Sequence, residues 1–180
     1  MIHPSAQVDL TATIGEGTRV WNFAQVREHA HIGRECMIGR GVYIGPGVVM
    51  GNRCKIQNGA LLYQPARLGD GVFIGPRVVL TNDRHPRAIL PNGKPVGQGD
   101  WKSEGVFIDD GASIGAGAVI LGGVIVGKWA MVGAGAVVVA SVMEHWKMAG
   151  VPARRLGWVC RCGAPSGPRG LCDECREAAG

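Results

Sequence analysis

Large aliphatic side chains recur at every sixth position along most of the chain. The series runs unbroken from Ile2 to Leu80, then resumes at Ile108 and continues to Val138. Four residues after each aliphatic position stands Ala, Thr, Cys or Val, except at Arg84, where the series stops. A period of six matches neither the 3.6-residue period of a helix nor the two-residue period of an isolated strand. It is typical of a hexapeptide solenoid, the β-helix.

Each six-residue unit predicts one short strand and one turn, so that three units close a triangular coil of eighteen residues. Glycine commonly follows the aliphatic position, because turns use its freedom at positive φ. This explains 30 glycines among 180 residues, well above the usual ~7%. The aliphatic positions of successive coils stack, and each coil buries its neighbour's face. The predicted fold class is therefore all-β, a parallel β-helix.

The break in the series divides the chain into four parts. Residues 1–80 and 108–150 carry the repeat and are predicted to form coils. Residues 81–107 hold three prolines and four glycines with no six-residue register, which predicts one long loop. Loops of this length are uncommon in compact domains and are often functional. The polar start of the loop, from Thr81 to Arg87, favours an active-site role over a segment that merely covers a face.

The remaining residues, 151–180, form a short cysteine-rich tail with two closely spaced cysteine pairs. Cys160 and Cys162 are separated from Cys172 and Cys175 by a spacer rich in Gly and Pro. This spacing fits a tetrahedral four-cysteine zinc knuckle, although the first pair is tighter than the usual Cys-x-x-Cys. Disulfides are the alternative, and a cytosolic setting disfavours them. Because four thiolates leave no open position, the predicted zinc is structural.

Composition and charge limit the classes of partner that the protein is expected to bind. No stretch approaches the ~20 apolar residues of a membrane span, and the repeat begins at Ile2 with no signal-peptide pattern before it. The net charge of +5 is modest and suits an anionic small ligand. Trp158 is the one aromatic residue of the tail beyond residue 154, which makes a weak platform for nucleic-acid bases. We expect a cytoplasmic protein with neither a membrane nor a nucleic-acid partner.

Several strings in register with the repeat resemble the nucleotide-sugar 3-N-acetyltransferases, the UDP-2-acetamido-3-amino-2,3-dideoxyglucuronate and dTDP-3-amino-3,6-dideoxyhexose enzymes. The resemblance runs from about Ile2 to Trp158, and its strings are Val20-Trp21-Asn22-Phe23, Cys54-Lys55-Ile56-Gln57-Asn58, Tyr63, Val72-Phe73-Ile74-Gly75-Pro76, residues 80–88 and residues 150–158. It implies a left-handed β-helix, a homotrimer and a role in polysaccharide or secondary-metabolite biosynthesis. The implied reaction moves the acetyl group of acetyl-CoA to the 3-amino group of a UDP- or dTDP-linked amino sugar.

The resemblance also implies roles for single residues of the loop. Asn82 corresponds to the Asn that contacts the reacting amine. Arg87 is a candidate for a phosphate or carboxylate, since its planar fork binds two oxygens at once. His85 departs from the Tyr, Asn or Phe expected at its position. Whether this enzyme uses a general base there therefore stays open. With Asp83, His85 is a candidate for collecting the proton of the amine.

Two further sets of residues follow from the resemblance and from position. The sugar-nucleotide site is predicted to be lined by Gln57, Asn58 and Tyr63. Acetyl-CoA is expected along the prism between subunits, with its phosphates near basic residues towards the C-terminal coils: Lys128, Lys147, Arg154 and Arg155.

Two alternatives to the sugar N-acetyltransferase stay open. One is a hexapeptide acyltransferase for another small amine acceptor. The other is a non-catalytic β-helical scaffold whose zinc tail binds a partner, although a scaffold does not need the polar cluster from Asn82 to Arg87. The nucleotide and the sugar are not determined by the sequence, and Asp83 favours a dTDP-linked sugar.

Overall fold

The fold is a parallel β-helix, as the six-residue period predicts. The structure, a computed structural model, describes residues 1–97, 99–168 and 170–178. Nineteen strands of two residues, β1 to β19, wind into triangular coils, and most pair in parallel with the strand three further along the chain. Gln98 of the predicted loop and Arg169, Ala179 and Gly180 of the predicted tail lie outside the described residues.

The strands form three faces of a prism. Face 1 consists of β1 (Gln7–Val8), β4 (Gln25–Val26), β7 (Tyr43–Ile44), β10 (Leu61–Leu62), β13 (Val79–Leu80), β16 (Val119–Ile120) and β19 (Val137–Val138). Face 2 consists of β2 (Thr13–Ile14), β5 (His31–Ile32), β8 (Val49–Met50), β11 (Arg67–Leu68), β14 (Phe107–Ile108) and β17 (Ile125–Val126). Face 3 begins with β3 (Arg19–Val20), β6 (Met37–Ile38), β9 (Lys55–Ile56), β12 (Phe73–Ile74), β15 (Ser113–Ile114) and β18 (Met131–Val132).

The core is the predicted aliphatic series. Every member from Val20 to Val138 is buried, and so are the small residues four positions later from Thr18 to Val142, except at Arg84. Cys36 and Cys54, at small positions, are buried, as their register predicts. Ile2 at the start of the series is 48% exposed, because no earlier coil covers it. Ladders of side chains from successive coils therefore hold the prism together.

Three corners separate the faces. The loop corner joins face 1 to face 2 and includes Tyr63, the tail corner joins face 2 to face 3 and includes Lys128, and the amide corner joins face 3 to face 1 and includes Gln57. At the tail corner a ladder of side chains links the coils. There Asp110 Oδ1 accepts the backbone N–H of Asp70 at 2.9 Å, and this bond, with Lys128, lowers the pKa of Asp110.

The long loop leaves the prism at the loop corner, between β13 and β14. It ends one residue earlier than predicted, because Phe107 already belongs to β14 and pairs with Arg67. Inside the loop, Ile89 and Pro95 form an antiparallel bridge around a short turn. The coils continue in register on both sides of the loop.

The C-terminal segment adds strands to face 3 before it reaches the four cysteines. Strand β20 (Trp146–Ala149) pairs in parallel with β18, and β21 (Arg154–Val159) then returns antiparallel to β20. Strand β22 (Pro165–Ser166) pairs with β21, and helix α1 (Asp173–Glu177) follows. Among the described residues, no helix combines the length and the apolar character that crossing a membrane requires.

Two glycines of one turn allow a direct test of coil stacking. A Cβ at Gly115 would lie 2.5 Å from the backbone nitrogen of Ala134 in the next coil, whereas a Cβ at Gly117 would meet nothing within 4 Å. Gly117 has a φ of +67° instead, which costs an L-residue about 1 kcal/mol. We expect Gly115→Ala to lower the free energy of unfolding by about 3 kcal/mol or more and Gly117→Ala by about 1 kcal/mol. Denaturant unfolding of both variants measures this, and equal losses would contradict steric stacking.

Candidate functional site

The base of the long loop is closed by hydrogen bonds between its two ends and the next coil. The backbone N–H of Glu104 donates to the carbonyl oxygen of Asn82 at 2.8 Å, and Thr81 Oγ1 accepts the N–H of Gly122 at 3.0 Å. Arg84, the residue at which the repeat breaks, donates from Nε to Gly122 O at 2.7 Å and lies 3.6 Å from Glu104 Oε2. Arg84 therefore ties the start of the loop to its end and to the next coil. We call these contacts of Arg84 the latch, and they fix the position of Asn82.

The Asn82 side chain is half-buried beside this latch. Its Nδ2 lies 3.5 Å from Ser103 Oγ, a long contact, and Ser103 Oγ donates to the carbonyl oxygen of Gln64 at 3.1 Å. Within the described part of the chain, no donor reaches Asn82 Oδ1. This oxygen is therefore free to accept a hydrogen bond from a bound molecule.

The other three residues predicted for the loop line a small cavity of about 150 Å³. Asp83, His85 and Arg87 meet there, with Trp101 among the apolar residues of the wall. Asp83 Oδ1 accepts the backbone N–H of His85 at 2.8 Å, and Arg87 donates to its preceding carbonyl. The structure thus brings three of the predicted residues together.

The predicted sugar-nucleotide residues are divided between two corners. Gln57 and Asn58 lie at the amide corner, where they line a cleft of about 390 Å³ with Trp21 and Arg40. Asn58 Oδ1 accepts the backbone N–H of Arg40 at 2.9 Å, so that its carbonyl oxygen already has a partner. The sequence analysis missed Trp21 and Arg40 as lining residues. The coil period contained the signal, because Arg40 stands eighteen residues before Asn58.

Tyr63 lies at the loop corner, one coil before the loop. Its ring centroid is 5.4 Å from that of Tyr43, with 49° between the ring planes, and its backbone N–H donates to Leu80 O. Tyr63 and Asn82 therefore border face 1 on one side, and Gln57 borders it on the other. A single chain does not bring the two groups together.

The four basic residues predicted for acetyl-CoA lie on face 3 or at the tail corner, away from the loop corner. Lys128 Nζ is 3.2 Å from Asp110 Oδ2. The guanidinium of Arg155 stacks on two indoles, 5.1 Å from the Trp146 centroid and 5.4 Å from that of Trp158. The side chains of Lys147 and Arg154 are exposed on β20 and β21. Arg154 Nη1 donates to the carbonyl oxygen of Ala153 at 3.1 Å, so three of the four cations have a partner within the chain.

The four tail cysteines form a compact cluster. Their sulfur atoms all lie within 4.8 Å of one another, and those of Cys162 and Cys172 are 3.7 Å apart. The backbone N–H of Cys175 donates to Cys172 Sγ at 3.4 Å. Hydrogen bonds from the backbones of Cys162 and Cys172 lower the pKa of the Cys160 thiol to about 6. All six cysteines of the chain are described, and none forms a disulfide.

Comparison with known families gives one match. The model described as bacterial transferase hexapeptide (six repeats) matches residues 11–46, 29–64, 47–82 and 105–140, which together make up more than half of the chain. No curated protein matches the chain.

Solved structures share the fold. PerB from Caulobacter crescentus, in complex with CoA and GDP-perosamine, is 26% identical over 87% of this chain and 56% of that chain, with a TM-score of 0.52. AntD, an N-acyltransferase from Bacillus cereus in complex with dTDP and 3-hydroxybutyryl-CoA, is 20% identical over 87% of this chain and 78% of that chain, with a TM-score of 0.58. The acetyltransferase domain of PglB from Neisseria gonorrhoeae is 23% identical over 87% and 57%, with a TM-score of 0.50. The chain thus spans little more than half the length of PerB and of the PglB acetyltransferase domain.

Proposed function

Because the chain belongs to the bacterial transferase hexapeptide family, we propose that it is an acetyl-CoA-dependent N-acetyltransferase. Its acceptor is the 3-amino group of a sugar linked to dTDP or UDP. The observation that carries this proposal is the free Oδ1 of Asn82, held by the Arg84 latch beside the polar loop cavity. The likeness to PerB, solved with CoA and a nucleotide-linked amino sugar, supports the same reaction class.

The reaction needs a neutral amine, a held thioester carbonyl and a donor for the developing oxyanion. An amine with a pKa of ~7.7–8.0 is partly neutral near pH 7, so a strong base is not required. Asn82 Oδ1 accepts an N–H of the amine and turns its lone pair towards the carbonyl carbon. The C–N bond forms, the C–S bond breaks and CoA leaves as the thiolate, while the amine proton passes to His85 or Asp83. A backbone N–H of a glycine-rich turn holds the oxyanion.

A homotrimer would complete the site across subunits. The outward positions of face 1 are apolar in five successive coils, at Tyr43, Leu61, Val79, Val119 and Val137. The equivalent row of face 2 is interrupted by Arg67, and that of face 3 by Lys55. A contiguous apolar face marks an interaction surface. Since face 1 lies between Gln57 and Asn82, a neighbour seated on it can bring its own amide corner to this chain's loop corner.

Acetyl-CoA is proposed to place its phosphates at the C-terminal end of the prism. Lys147 and Arg154 are exposed on β20 and β21, are not held by a carboxylate or an indole among the described residues, and are suited to phosphate oxygens. To bind the phosphates, Lys128 would have to leave Asp110, and Arg155 would have to leave the indoles on which it stacks. This assignment makes Lys147 and Arg154 the primary candidates of the four.

The tail is proposed to hold one structural zinc ion. Four sulfurs at 2.3 Å from a shared tetrahedral zinc stand ~3.8 Å apart, and the Cys162–Cys172 separation is 3.7 Å. Four thiolates fill the coordination sphere, so the ion takes no part in acetyl transfer. Cysteines that are not joined in disulfides persist in a reducing compartment, which supports the proposed cytoplasmic location.

Mass spectrometry of the products tests the proposed reaction. The protein is incubated with acetyl-CoA and a panel of dTDP-, UDP- and GDP-linked amino sugars. A sugar heavier by one acetyl group establishes the N-acetyltransferase and names its nucleotide. Bound acetyl-CoA without an acetylated sugar would point to another small amine as acceptor, and no binding of acetyl-CoA would favour the scaffold.

A further inference from the structure

The end of the solenoid is covered unequally. Among the described residues, the strands of face 1 end at β19, where Val137 still hydrogen-bonds to Gly150 and Ala153. Face 2 ends at the bridge between Val126 and Val142, whereas face 3 continues through β20, β21 and β22. The open end of a parallel stack exposes unpaired backbone groups and the last layer of the core, and repeat proteins require a cap there. The segment that supplies further strands on face 3 leads directly into the four cysteines.

His145 joins the tail to the last coil. Its carbonyl oxygen accepts the N–H of Val159 at 2.8 Å, its Nδ1 lies 2.8 Å from Val159 O, and its own N–H donates to Lys128 O at 2.9 Å. Gly170 lies flat against the imidazole, since a Cβ at Gly170 would stand 2.7 Å from Cγ of His145. Val159 immediately precedes the ligand Cys160, and Gly170 comes two residues before Cys172. His145 therefore contacts both of the segments that carry the cysteine pairs.

Arg161 makes a second contact from between the two ligands of the first pair. Its guanidinium lies 5.7 Å from the centroid of the Trp129 ring. Trp129 in turn covers Gly111, where any Cβ would collide with the indole. The tail thus contacts the tail corner directly at Trp129, and the N–H of His145 donates to the carbonyl oxygen of Lys128 beside it.

The tail has little core of its own. Among the described residues of the tail, the buried apolar ones are Ala153, Val159 and Cys160, and α1 has no buried residue. A segment with so small a core needs a metal or a partner to stay folded. The solenoid contacts at His145 and Trp129 are made by Val159, Gly170 and Arg161, which lie within two residues of the cysteines.

We infer that the zinc-bound tail is the C-terminal cap of the solenoid, and that zinc binding and the order of the last coil are coupled through His145 and Trp129. Coupling of this kind is reciprocal: the contacts that let zinc order the coil also raise the affinity for zinc. His145 is a positioning residue and not a ligand, because it acts through Val159 and Gly170. The inference rests on the proposed zinc and is independent of the acetyl transfer.

Zinc affinity, measured on the full chain by competition with a chromophoric chelator, tests the coupling. We expect His145→Ala to raise the dissociation constant for zinc about tenfold, as the loss of outer contacts does at other metal sites. The matched control is His29→Ala, since His29 is an exposed histidine in a distant coil with a φ of +58°, against +59° at His145. Arg161→Ala gives a second variant, with a smaller rise expected.

Hydrogen exchange of the zinc-loaded and zinc-stripped wild-type protein gives a second readout. Stripping should remove protection from the amides of His145 and Val159, while the amides of Met37 and Lys55 in early coils keep theirs. An unchanged zinc affinity in His145→Ala, or unchanged protection after stripping, would overturn the coupling alone. A wild-type protein that binds no zinc would overturn both the proposed metal and the cap, and the acetyltransferase assay would be unaffected by that result.

Discussion

Asn82→Ala is expected to lower kcat/KM for the amino-sugar acceptor about 100-fold, equivalent to ~2.7 kcal/mol of transition-state stabilisation. The loss is chemical, because the fold holds Asn82 mainly through its backbone, whose carbonyl oxygen accepts from Glu104 at 2.8 Å. Among the described residues, the side chain makes one polar contact, at 3.5 Å with Ser103. Without Oδ1 the amine loses its orientation, and orientation is worth several kcal/mol in transfer reactions. Mass spectrometry of the acetylated sugar measures the rate, since the six cysteines of the chain interfere with thiol dyes.

Two controls isolate this effect. Asn92→Ala makes the same change near the turn of the same loop, where Asn92 Oδ1 accepts the backbone N–H of Lys94 at 3.1 Å. It should leave kcat/KM within about twofold of the wild-type value. Ser103→Ala removes the contact without removing Oδ1 and should cost less than Asn82→Ala. A loss below threefold in Asn82→Ala would remove this residue from the proposed mechanism.

The parts of the fold that could be predicted are those in which one local pattern repeats. Ile38, Ile56 and Ile74 are buried at 0% exposure because each occupies the same register in successive coils of face 3. The antiparallel return of β21 along β20 follows no period, since it depends on the reversal between Gly150 and Ala153 and on long-range pairing. The extension of face 3 by the tail was therefore not predictable from the repeat.

In the candidate site, too, local features could be predicted from the sequence and long-range ones could not. The cysteine cluster was predictable because its four ligands lie within sixteen residues and their spacing sets their separation. The grouping of Gln57 with Asn82 was not testable in one chain, since face 1 separates their corners. Similar strings in the sequence indicate which residues serve a reaction. They do not indicate which subunit supplies each residue, because that depends on a surface and not on a spacing.

Face 1 is the surface proposed to bring the subunits together, and we expect Val119→Glu to dissociate the proposed trimer. Val119 stands in the apolar row between Val79 and Val137, with which its strand pairs. A carboxylate there would lose its hydration against an apolar partner and have no partner charge, which is unfavourable by several kcal/mol. Sedimentation velocity at micromolar concentration should then show a monomer, with a circular dichroism spectrum like that of the wild type. If a neighbouring subunit completes the site, as proposed, kcat/KM should fall below about 1% of the wild-type value.

Ile125→Glu is the matched control, because Ile125 is the outward aliphatic residue of the next strand, β17, and lies on face 2. Its side chain is already 48% exposed, so a carboxylate there stays hydrated. If face 1 is the interface, Ile125→Glu remains trimeric and active while Val119→Glu does not. The opposite result would move the interface to face 2. A trimer in both variants would mean that subunits meet elsewhere, and a monomeric, fully active wild-type protein would require Gln57 and Asn82 to serve different ligands.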